Sequence, residues 1–480
     1  RSSDLNGFAS LKSTANINTP TYIYDGMGQL DSLYHNRNHR NYPQKNNTIN
    51  GSFEHKFNSR HRINLSSDYT QHYFNQDQGL EADFSLPGAA PYRQNRISSN
   101  DTRRIRLFSA QADYTGQAFG SSLEAGFRYG NVDAENDFDY LDITTGNPTP
   151  NLDMENRFLY DEDIMAGYVS MDREIGKWGL KAGLRGEHTR LQGNSQTTGE
   201  VNKQDYFKLF PTLYAMYKAS DNHQIGMSYG KRIVRPQYAA LNPFKLYNTP
   251  YAYRVGDPQL QPTIAHNLSV LYTLYTKFYF DFYYRIERDP SMEIVYQDYE
   301  TNTIITQYTN IDRNAAIGMD FNTNLEIFPW WQCGLQTSIL YREDTFQGID
   351  GELYKNKKAT FNGNTNNRFN LSKKKDLFSE VIFDYTSPSV QGTYSLGSIS
   401  SLFVSLRKTF FEGNGELSLM FLDIYKGGRQ VVTTRYANQN AVFINYGDTQ
   451  CVRVGFRYRF GNQKLAGGRQ RESTDEQRRL

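Results

Sequence analysis

The 480 residues carry 53 Lys and Arg against 51 Asp and Glu, a formal charge of +2 without basic clusters, which gives nucleic-acid binding no footing. Hydrophobic residues make up 38% and mean hydropathy is −0.71, with no run near the ~18 to 20 apolar residues a spanning helix needs, so a bundle of membrane helices is excluded. Aromatic content of 14%, from 36 Tyr, 30 Phe and 3 Trp, argues against disorder.

In chain order, long alternating segments emerge. In 61–73, Ile63, Leu65, Tyr69 and Tyr73 oppose Arg62, Asn64, Asp68 and Thr70. Leu123, Ala125, Phe127 and Tyr129 then oppose Glu124 and Arg128, and Leu180, Ala182 and Leu184 oppose Lys181, Arg185 and Glu187. In 278–287, Phe278, Phe280, Phe282, Tyr284 and Ile286 face away from Asp281, Arg285 and Glu287. In 316–328, Ile317, Met319, Phe321, Leu325 and Ile327 face away from Asp320, Asn322, Asn324 and Glu326. The last segment sets Val452, Val454, Phe456, Tyr458 and Phe460 against Arg453, Arg457 and Arg459. Side chains of a strand alternate between faces, so each segment has one greasy and one hydrated surface.

The connections alternate too. Short turns are expected at 57–60, 119–122, 176–179, 219–223, 275–277, 328–332, 372–376 and 412–415. Long polar loops are expected near 76–102, 141–157, 194–204, 234–262, 291–305, 346–356 and 428–447. Short periplasmic turns, long extracellular loops and apolar/polar strands predict an all-β, transmembrane antiparallel β-barrel of about 18 strands, in the cell outer membrane with lipid around it. Trp178, Trp330 and Trp331 all fall in short turns, where a membrane-interface aromatic girdle belongs. Cys333 and Cys451 fall at opposite rims, too far apart for a disulfide. No repeat of 20 to 50 residues supports a propeller or solenoid.

Three stretches carry a likeness: DEDIMAGYVSMDREIGKWGLKAGLRGEHT (161–189), the RPQYAALNPF and DPQLQP elements of 206–273, and the closing FRYRFGN (456–462). They resemble the C-terminal β-barrel of Bacteroidota-type TonB-dependent receptor-like outer-membrane proteins. The resemblance implies a plug domain inside a 22-stranded barrel, a TonB-type energy complex as partner, and in some cases a surface lipoprotein. Residues 1–461 would then be a barrel lacking its plug and first strands, since Arg1 opens the chain without Met or signal peptide, and 462–480 a charged, disordered periplasmic tail. The implied function is import of a scarce bulky nutrient: a metal chelate, an oligosaccharide or a peptide. A passive porin-like channel and a structural or assembly barrel are the alternatives.

Enzymatic motifs are missing: no G-x-S-x-G, H-E-x-x-H, Walker or dinucleotide pattern occurs, so neither catalysis nor a cofactor is expected. His35 and His39 lie in a polar loop-like stretch, and the acidic run 131–142 lacks the Gly-centred loop of an EF-hand, so no metal site is assigned. Lumen-facing candidates are Arg185, Asp281, Arg285, Arg453, Arg457 and Arg459, because wall charges tune a pore. Arg235, Tyr238, Phe244, Tyr247, Tyr251 and Tyr253 are candidate extracellular-loop ligand contacts, since aromatics at a barrel mouth suit capture.

Overall fold

The computed structural model describes residues 2–10, 14–24, 27–151, 154–447, 449–460 and 474–479. The period-2 segments pair into one antiparallel wall of 21 strand segments. Sixteen are uninterrupted wall strands. Arg62–Ser85, Arg93–Ala118, Ser121–Asp142, Asn156–Ile175, Trp178–Ser195, Val201–Ser220, His223–Val234 and Thr263–Leu274 form the first eight. Phe278–Arg288, Arg313–Phe328, Trp331–Gln347, Leu353–Asn370, Leu377–Thr386, Ile399–Phe410, Gly415–Leu422 and Cys451–Tyr458 complete them.

Ahead of these stand two strands that are each broken in two. Gln44–Lys56 and Leu30–Asn41 pair in turn with the lower and upper halves of Arg62–Ser85, the break falling at Tyr42-Pro43, where proline has no N–H to give. Ser2–Ser10 and Thr14–Tyr24 continue the same pattern one strand further out. Two-residue Thr149–Pro150 is an addition to its neighbour, so the 21 segments amount to eighteen wall strands. Among the described residues no pairing joins Cys451–Tyr458 to the strands of 2–24, so both remain edges.

The eight short turns fall where the sequence places them. At that end aromatic rings cluster: Trp178 lies on Tyr217 at 4.8 Å, and Phe328, Trp330, Trp331 and Phe369 stack at 5.6–6.3 Å. Trp178 and Trp330 are exposed, as an interfacial belt requires.

The expected loop 76–102 is not a loop. Strand continues through Ser85 and resumes at Arg93, giving strands of 24 and 26 residues where the membrane needs ~9–11. The reason is an inversion of polarity along one strand. In Arg93–Ala118 the lower half turns Phe108, Ala110, Ala112 and Tyr114 outward and Ser109, Gln111 and Asp113 inward. The upper half buries Ile97, Ile105 and Leu107 inward and exposes Arg104 and Arg106 outward. The acidic run 131–142 belongs to this upper zone: Asp133 pairs with Arg106 at 2.8 Å and Asp137 with Arg104 at 3.2 Å on the outer surface.

Two small sheets cap the long-loop end. One joins Leu246–Thr249, Ala252–Val255, Thr303–Asn310 and Ser291–Asp298; the other joins Ser389–Gln391, Tyr394–Leu396, Gln430–Tyr436 and Gln439–Asn445. Gln439 Nε2 donates to the Gln297 carbonyl at 3.2 Å and Tyr299 Oη to the Asn438 carbonyl at 2.7 Å, linking the two caps.

Candidate binding lumen and mouth

The wall turns its hydrated face onto a polar cavity of about 940 Å³, lined from consecutive strands by groups such as Arg232, Asp281, Arg285, Asp320, Arg342 and Asp384. Asp281 and Arg285 are among the groups lining it, and Phe282 and Tyr284 between them are exposed on the other face. Arg285 Nε donates to Asn267 Oδ1 at 2.9 Å. The lining mixes both signs with Asn267, Asn314, Asn322, Asn362 and Asn364, so it offers hydrogen bonds rather than a single-sign field. Among the described residues no group of three or more potential metal ligands forms.

Arg185 also points inward but is already paired: its Nε donates to Glu187 Oε1 at 2.5 Å. Register puts Arg453 opposite Met420 and Arg457 opposite Glu416, the inner-face row that Arg407 shares at 3.8 Å from Glu416. Arg459 lies past the strand end, its backbone N–H bonded to the Asn414 carbonyl at 2.8 Å.

At the long-loop end, the loop carrying RPQYAALNPF and DPQLQP folds inward onto the upper wall. A 3-10 turn at Tyr238–Leu241 presents Tyr238, Ala240 and Leu241, which with Phe244 and Leu260 pack against the apolar upper wall of Ile105, Leu107, Val132, Phe138 and Phe158. The two sequence elements dock on each other: Gly256 N–H donates to the Asn242 carbonyl at 2.9 Å and Asp257 N–H to the Ala240 carbonyl at 2.8 Å. A side chain at Gly256 would meet those same carbonyl oxygens, so glycine is required by the close approach. Burial raises the Asp257 carboxyl above its ordinary range.

The candidate ligand contacts are consequently anchored. Arg235 Nη2 donates to Glu187 Oε2 at 2.8 Å and to Thr189 Oγ1 at 2.9 Å. Tyr238 and Phe244 are buried in the core just described, so they hold the loop rather than project from it. Tyr247 is half-buried, its carbonyl receiving Gln78 Nε2 at 2.6 Å, and burial pushes its phenol up to about 12. Tyr251 packs on Tyr34 and Phe84 and accepts from Arg93 Nη2 at 2.8 Å; Tyr253 lies 5.3 Å from the Tyr247 ring.

Sequence reasoning did not single out Glu162 or Asp344, two buried inner-wall carboxylates, and gave Glu187 only as part of a polar face. Asp344 accepts from the Gly392 N–H at 2.7 Å and from Arg342 Nε at 3.1 Å, tying the second cap to the wall. The signal for Glu162 was present: it is a lone carboxylate on a face otherwise made of Phe158, Tyr160 and Ile164. Such a group must find a partner when buried. Of the expected 462–480 tail, residues up to 473 lie outside the described residues, while Glu476 and Arg479 are buried against the inner wall.

The fold is shared with solved receptors and a solved transporter. The ferric yersiniabactin uptake receptor FyuA of Yersinia pestis is 13% identical, the match covering 95% of this chain and 76% of that one at a TM-score of 0.53. The ferripyoverdine receptor of the Pseudomonas aeruginosa outer membrane, solved bound to ferripyoverdine, is 12% identical over 95% and 71% at 0.51. The FrpB iron transporter of Neisseria meningitidis (F5-1 variant) is 10% identical over 95% and 81% at 0.50. At these identities the likeness concerns the fold alone. No curated protein sequence matches the chain. The model of the outer membrane protein beta-barrel family matches residues 55–458, and to that family, resident in the cell outer membrane, this chain belongs.

Proposed function

We propose that this barrel is the wall of a TonB-dependent-type receptor that imports a bulky, scarce polar nutrient. The observation that carries the reading is a hydrated, mixed-charge chamber of about 940 Å³ on the inner face of the wall, at the upper end of ordinary ligand-pocket sizes. A passive pore favours a clear inner wall, whereas here Tyr238, Leu241, Phe244 and Leu260 fold a long loop inward onto it. The balanced charges and asparagine-rich lining suit an amide- or hydroxyl-bearing solute, a peptide, an oligosaccharide or the organic shell of a metal chelate. A plug and an inner-membrane energy complex would provide release, and a surface lipoprotein a further partner, as in the receptors the sequence resembles; no enzymatic step is needed.

The test is uptake in cells bearing the full-length protein, with and without the energy complex, using candidate nutrients as sole source. Energy-dependent growth that fails on Asp281→Ala/Arg285→Ala supports the reading. Large open conductance of the full-length protein in planar bilayers contradicts it and favours the porin-like alternative.

A further inference from the structure

We propose that the lumen contains a guanidinium socket whose occupant is the chain's own 474–479 segment, which thereby latches the inward-folded loop to the wall. The proposal concerns a site and an occupant inside the barrel, and stands whatever nutrient the receptor takes.

The socket is built from two stretches far apart in sequence, and its occupant comes from a third. Arg479 Nη1 donates to Glu162 Oε2 at 2.5 Å, its Nε to the Pro236 carbonyl at 2.9 Å, and its Nη2 lies 3.5 Å from Tyr160 Oη. The guanidinium carbon stacks 4.3 Å from the centre of the Tyr238 ring. A planar fork serves carboxylate, carbonyl and aromatic face together, which an ammonium does not. Glu162 is fully buried, and its other cation, Arg235, stands at 3.8 Å. Without Arg479 that carboxylate would keep one distant partner in a water-poor site, a costly arrangement.

The rest of the segment fits a prepared seat. Its 3-10 turn, Gln477–Arg479, eclipses residues three apart, so Glu476 and Arg479 face the wall together while Arg478 is exposed. Glu476 pairs with the half-buried Arg128, and Gln477 Nε2 donates to Thr70 Oγ1 at 2.8 Å. Glycine at 130 makes the room: a Cβ there would lie 2.9 Å from Glu476 Oε1. Because Pro236 and Tyr238 belong to the mouth loop and Glu162 to the wall, occupancy of the socket couples the segment to the seating of that loop.

The test uses the full chain in proteoliposomes, with hydrogen exchange at 235–244 and bilayer conductance as readouts. Arg479→Ala is expected to speed exchange there at least tenfold and to raise conductance, while Arg478→Ala leaves both unchanged. Gly130→Val, which crowds Glu476 without touching the socket, is expected to act like Arg479→Ala. The chain ending at 473 should bind a peptide of residues 472–480, ESTDEQRRL, at least tenfold more tightly than its Arg479→Ala counterpart. Unchanged exchange and conductance in Arg479→Ala, equal effects of Arg478→Ala, or peptide binding indifferent to Arg479 would each overturn the latch. These readouts need no energy complex or nutrient, so a failed uptake assay would leave them standing.

Discussion

Replacing Gly256 by alanine should unseat the mouth loop while leaving the wall intact. The added methyl would collide with the Asn242 and Ala240 carbonyls, backbone atoms that cannot swing aside. Separating the two elements forfeits the Gly256–Asn242 and Asp257–Ala240 hydrogen bonds, about 0.5–1.5 kcal/mol each in net terms. It also withdraws Leu260, which is 2% exposed, from the core, a loss of about 1.5–3 kcal/mol. The seated state should therefore weaken by on the order of 2.5–6 kcal/mol, roughly two to four decades in the opening equilibrium. Hydrogen exchange followed by mass spectrometry reads this directly: peptides across 236–262 should lose a hundredfold or more of protection. Peptides from Phe278–Arg288 and Arg313–Phe328 should be unaffected. Protection at 236–262 equal to that of the parent chain would refute the docking of the two elements as the loop's anchor.

Three further outcomes follow from the wall. Phe282→Arg puts a cation on the lipid face near mid-membrane and should cost about 2–4 kcal/mol in denaturant unfolding from lipid, whereas Asp281→Asn on the hydrated face should cost far less. In the short turn at 371–376, Lys408 Nζ at 2.7 Å and Ser372 hold the Asp376 carboxylate below its ordinary range. A depressed acid stabilises above its unfolded value and loses that contribution as pH falls through the folded one, so local exchange at this turn should rise only below about pH 4. Asp376→Asn should abolish that dependence, and a turn equally labile at pH 7 and pH 3 would contradict it. Tryptophan fluorescence should be quenched most by lipids brominated near the headgroups, since Trp178, Trp330 and Trp331 mark the short-turn interface; strongest quenching from the bilayer centre would count against the girdle.

Much of the wall could be read from residues alone because lipid imposes one rule on every strand within the membrane. In the structure Phe282 is exposed on one face of its strand while Asp281 and Arg285 line the polar cavity on the other. Glycine, asparagine or proline likewise marked six of the eight short turns, 275–277 and 372–376 being the exceptions. What failed to show was the wall above the membrane. There Arg104 and Arg106 face water outside and Ile105 and Leu107 face packed loops inside, so the hydrophobic phase reverses while pairing continues. A reader expecting apolar residues outside sees only polar sequence and infers a loop. The mouth contacts were misjudged for a related reason. Tyr238 and Phe244 carry the composition of a ligand surface, yet their burial depends on Val132, Phe138 and Phe158, more than 70 residues away. No local pattern encodes that meeting.

The wall is a sheet greasy toward lipid and wet toward its own interior, a contrast that site-directed spin labelling reads residue by residue. Single cysteines would be placed in turn at 279–286 of a chain with Cys333 and Cys451 replaced, then spin-labelled in bilayers. Collision rates with oxygen and with a water-soluble nickel chelate should alternate with period 2. Oxygen should dominate at 280, 282 and 284, and the chelate at 281, 283 and 285. A flat profile, or one with the phases exchanged, would contradict the account.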